Sequence, residues 1–143
     1  MEVIDELAAD MIRLARDPYG YSLYAFPWGE GDLAENKGPR TWQRELLESI
    51  GSHLNGPDRF QPLLLAVASG HGIGKSALIS MVISWALDTC KDTKVVVTAN
   101  TEQQLRTKTW PEVTKWRRRS ITAGSVDVSA TSLAAPGKAA KAW

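Results

Sequence analysis

Leu63 to Ser76 reads LLLAVASGHGIGKS. An unbroken apolar run, Leu63 to Ala68, leads into glycines at 70, 72 and 74, and these lead into Lys75 and Ser76. A continuous apolar run of strand length predicts a strand covered on both faces. The next segment, Lys75 to Thr89, is apolar nearly all round and predicts a mostly buried helix. Beyond it, KVVVTA (Lys94 to Ala99) predicts a second buried strand. Strand, helix, strand in that order predicts a βαβ unit, hence a parallel sheet with a right-handed crossover. The expected fold class is therefore α/β.

The glycine loop carries the chemistry. The phosphate-loop pattern is Gly, four residues, Gly, Lys, then Ser or Thr. Gly74, Lys75 and Ser76 match its end, and Ser69 stands where the first glycine would be. The loop must curl so that backbone N–H groups point at phosphate oxygens, and Gly70, Gly72 and Gly74 give it that freedom. The N-terminus of the following helix adds partial positive charge. Lys75 would reach the β- and γ-phosphates, and the Ser76 hydroxyl would ligate Mg²⁺. His71 and Ile73 fill variable positions of the loop, and His71 reads as loop-shaping rather than as a base. The plain alternative is a glycine-rich turn with an exposed lysine. Strand before and helix after favour the nucleotide reading.

Composition narrows the class without naming a function. The chain has 143 residues, 43% of them hydrophobic, and a formal net charge of +1. That size suits one globular domain, and the charge gives no general case for nucleic acid or membrane. The lone cysteine, Cys90, cannot close an intramolecular disulfide. Its presence suits a reducing compartment. The charged N-terminus does not read as a signal peptide. No apolar run approaches the roughly 20 residues that span a bilayer. His53 and His71 make no metal-spaced pair.

Outside the loop, apolar residues from Val3 to Ile12 recur at helical spacing and predict a helix over residues 3–16. DPYG (Asp17 to Gly20) ends it, and residues 19–40 read as an ordered irregular segment. A second helix is expected from near Pro39 through TWQRELLESIGSHL, which closes at Leu54. Thr101 with Gln104 three residues on predicts another helix start, which Pro111 should kink or split. SVDVSATS (Ser125 to Ser132) alternates like a strand.

Three stretches in this order are similar to the N-terminal ATPase domain of a phage or prophage terminase large subunit, the DNA-packaging motor. They are FPWGEGDLAENKGPRTWQRELL, VASGHGIGKSAL and VVVTANTEQQLRTKTWPEVTKW, within roughly residues 17–119. The resemblance implies a RecA-like P-loop NTPase: a parallel sheet flanked by helices, binding ATP and Mg²⁺. It implies double-stranded DNA, a small terminase subunit and a portal protein as partners. It also implies a ring of copies, in the cytoplasm of a bacterial host. In the same way TWQ resembles the family's adenine motif. Gln43 would read adenine through its amide, or stand as a solvated helix residue. Trp42 would pack nearby and reads as core before stacking partner. Asn100 and Thr101 read as a helix cap before a DNA or nucleotide contact. KWRRR (Lys115 to Arg119) reads as cations at a helix C-terminus before a DNA patch. Arg106 and Lys108 read as solvated, with an arginine-finger role open but unselected.

Under this reading, residues 1–56 form the N-terminal helices and adenine side, 57–119 the P-loop core, and 120–143 a further strand and an irregular tail. Hydrolysis needs a second acid at the end of an apolar strand, and neither Asp88 nor Asp127 has that setting. The expectation is an ATP-binding part whose catalytic acid lies elsewhere. Such a part would be marginally stable or self-associating, because a sheet without its central strand exposes apolar faces. The alternatives are another P-loop ATPase of helicase or kinase type, or an inactive prophage remnant.

Overall fold

The computed structural model describes residues 2–70, 72, 74–125, 127–128 and 133–134. His71, Ile73 and the closing AAPGKAAKAW fall outside the described residues, wholly or nearly so.

Among the described residues six α-helices carry the fold: α1 (Glu2–Leu14), α2 (Pro18–Ala25), α3 (Thr41–Leu54), α4 (Lys75–Thr89), α5 (Glu102–Gln104) and α6 (Trp110–Arg119). A single π-helical turn, Leu105–Thr109, joins α5 to α6. α4 is the central element, packed by α1, α2 and α6. Leu78, Met81, Ile83, Trp85 and Ala86 of α4 are buried, whereas Ile79 faces solvent. The Trp85 indole N–H donates to the Leu14 carbonyl at 3.0 Å and pins α1 to α4. Phe26, Trp28 and Trp116 make an aromatic cluster, with Phe26 edge-on to Trp116 at 5.4 Å.

The helix α2 was not anticipated. Its sequence holds the signal, though: Asp17 caps the helix by accepting from the Gly20 N–H at 2.9 Å, and Pro18 stands at its first position. Asp before Pro starts a helix as readily as a turn, because proline's fixed φ and missing N–H suit the first helical turn. The expected split at Pro111 is present. The π turn precedes it, with the Trp110 N–H bonded five residues back to the Leu105 carbonyl. Pro111 has no N–H to give to a regular ladder, and the wider turn accommodates it.

The expected RecA-like α/β fold with a parallel sheet is corrected by the structure. Among the described residues there is no parallel ladder. The ladder present is antiparallel and two residues long, Asp127–Val128 against Leu133–Ala134. LLLAVAS and the run after Lys94 form neither helix nor strand. Among the described residues, no main-chain hydrogen bond joins 63–69 or 95–99 to another segment. Their apolar side chains are mostly exposed, Leu64 at 91% and Val96 at 85%, with Val97 half-buried. A strand exists only where a neighbour takes up its N–H and C=O groups. The apolar pattern reports a preference for burial, not the presence of the partner that would provide it.

Candidate functional site

Gly74 is the N-cap of α4 with φ +93°, and Gly72 has φ +75°. Both conformations are left-handed and favour glycine. At Gly74 space forbids a side chain as well: a Cβ would lie 2.7 Å from Gln43 Nε2. At Gly72 no atom lies within 4 Å of an added Cβ, so the loop is open on that side.

Gln43 joins this loop to α3. Its Nε2 donates to the Gly74 carbonyl at 2.8 Å, and its Oε1 accepts from the Arg40 N–H at 2.9 Å. The side chain is 3% exposed, so both bonds form away from water. The amide keeps one N–H and one lone pair beyond these bonds. The first turn of α3 thereby holds the start of α4.

A cleft of about 450 Å³ opens beside the loop. Gly72, Gly74, Lys75, Ser76 and Gln43 line it, so five of the residues expected to hold the nucleotide meet at one place. Trp42 does not line it. That side chain is half-buried against the core. Trp28 and Trp116 form the aromatic wall instead; the sequence offers Trp116 only as a stacking residue for DNA within KWRRR, and nothing in it selects Trp28. Gly70 stands at the edge of the loop with open space around its Cα.

Lys75 Nζ donates to the Ser69 carbonyl at 3.1 Å across the loop. An ammonium has three donors, so two remain for a ligand. The Ser76 hydroxyl has no hydrogen-bond partner among the described residues, and its oxygen is free to accept or to ligate a cation. The Ser76 carbonyl accepts from Ser80 Oγ at 2.6 Å.

The π turn and α6 add Lys108, Glu112 and Trp116 to the lining. Glu112 Oε1 accepts from the Trp116 indole N–H at 3.0 Å. At the other end of the two helices, Arg117 of α6 pairs with Asp88 of α4 at 2.8 Å. With both starts at the cleft and both ends at this pair, α4 and α6 run side by side in the same direction.

KWRRR does not form a nucleic-acid stacking patch at its centre. Arg117 is fully buried on Asp88, and Trp116 is packed in the aromatic cluster. Arg119 pairs with Asp32 at 2.9 Å and lies over the Trp116 ring. Lys115 and Arg118 remain exposed. Thr101 is a helix cap, accepting from the Gln104 N–H at 3.1 Å. His53 Nε2 is 2.8 Å from the Gln61 carbonyl, a loop contact. The side chain of Asp127 lies outside what is described.

No protein family, characterised protein or solved structure matches this chain. No helix among the described residues is long and apolar enough to cross a membrane.

Proposed function

We propose that the cleft binds the phosphates of ATP with Mg²⁺, and that the chain is the ATP-binding part of a viral DNA-packaging motor. One observation carries the first half. The residues a phosphate loop requires line one open cleft at the start of α4, on glycines with left-handed backbone. Lys75 and the loop N–H groups hold the phosphates, as the helix N-terminus favours. Ser76 offers its hydroxyl to the metal, which would screen charge between the phosphates. Gln43 presents its spare amide capacity towards adenine while bracing Gly74. The second half rests on the likeness of three stretches of sequence to terminase large subunits. Double-stranded DNA, the small terminase subunit and the portal enter with it.

The test is Mg-ATP binding and turnover by the 143-residue chain, with Lys75→Ala alongside. Saturable binding that is lost in the variant is the expected result. A wild-type chain that binds no nucleotide overturns the reading. Lys75-dependent turnover would mean that the chain itself supplies the hydrolytic acid.

A further inference from the structure

The sequence offers two cations before Pro111, Arg106 and Lys108, and nothing in the spacing chooses between them. The structure does. Arg106 pairs with Glu102 at 2.8 Å, one turn back, with both side chains in solvent. Lys108 lines the cleft together with Lys75. We propose that Lys108 is a second phosphate-binding cation of this site, supplied by the π turn, which shares the cleft with the glycine loop. The proposal rests on the nucleotide reading above.

Charge supports it. Arg40, Lys75 and Lys108 reach the cleft from three different segments. Among the described residues, none of the three has a carboxylate within 4 Å. The acid on the lining, Glu112, already has one oxygen on the Trp116 indole. Three cations against one carboxylate is a polyanion's environment, and the helix terminus adds to it. The π turn contributes position. The extra residue in that turn rotates Lys108 about the helix axis relative to α6, by about 100°. Single π turns inside α-helices recur at functional sites. Arg106, two residues earlier, is left on the outer face with Glu102.

The experiment is equilibrium binding of Mg-ATP, Mg-ADP and AMP to the whole chain. The variants are Lys75→Ala, Lys108→Ala, Lys108→Arg and Lys115→Ala, the last an exposed cation of α6 outside the cleft. A charge-assisted contact in a partly solvated cleft corresponds to about tenfold in affinity. Lys108→Ala should weaken ATP by about that factor, steepest at low salt, and leave AMP unchanged. Lys108→Arg should recover most of the loss, and Lys115→Ala should behave as wild type. Melting temperature should not move, because Lys108 is exposed. Wild-type affinity for ATP in Lys108→Ala, with binding lost in Lys75→Ala, overturns this inference and spares the nucleotide reading. Equal weakening of ATP and AMP overturns it too. Failure of the wild-type chain to bind any nucleotide overturns both.

Discussion

Asp88 gathers hydrogen bonds from three segments. Arg117 donates through both terminal nitrogens at 2.8 Å, and Tyr21 and Thr122 donate their hydroxyls to Oδ2. The Asp88 side chain is 4% exposed and the Arg117 side chain 0%. None of this is legible in sequence, because the partners stand 29 and 67 residues away. Read locally, Asp88 is a helix residue and Arg117 a cation at a helix end. Lys75 and Ser76, by contrast, are legible because their motif is contiguous. The buried pair makes a sharp prediction. Asp88→Asn leaves Arg117 buried without a counter-charge, and breaking such a pair costs about 3–5 kcal/mol. Urea unfolding monitored by tryptophan fluorescence should show that loss. A change below about 1 kcal/mol, the scale of exposed pairs, would mean that the pair is solvated in solution.

At the scale of elements, α1 and α3 are legible from a 3.6-residue apolar period, and α4 from a long segment that is apolar nearly all round; the break before Pro111 follows from proline chemistry. α2 was missed because Asp17-Pro18 serves turns and helix starts alike. The two apolar runs predict buried strands, but a strand is completed by a neighbour, which no local pattern encodes. The contrast between run and helix is measurable. Leu64 is 91% exposed, and Leu64→Ser should change stability by no more than about 0.5 kcal/mol, as exposed substitutions do. Met81 is 1% exposed in α4, and Met81→Ala should cost about 2–5 kcal/mol through lost burial and a cavity. Denaturant midpoints for both variants decide it. A loss at Leu64 equal to that at Met81 would mean that the run is buried by a partner in solution, as a sheet would require.

For the whole molecule, the junction at Asp88 sets how the fold answers to pH. Tyr21 belongs to α2, Asp88 to α4 and Arg117 to α6, so one polar cluster closes three helices into a single unit. Burial raises the Tyr21 phenol above its ordinary value of 10.0, and the charge and hydrogen bond of Asp88 raise it further. The folded chain therefore keeps this phenol neutral at a pH where the unfolded chain releases its proton. Stability from this source is fully present below pH 10 and is lost as the pH climbs beyond it, since the unfolded state then binds fewer protons. Alkaline titration should show one tyrosinate signal that appears only with unfolding, read as phenolate absorbance beside loss of helical circular dichroism. Tyr21→Phe gives up one hydrogen bond, about 1 kcal/mol near neutral pH. It also deletes the titrating proton, so its stability should fall less steeply above pH 10 than that of the wild type. Parallel alkaline slopes in the two proteins would show that Tyr21 is not shielded, and that the three helices are not closed around Asp88.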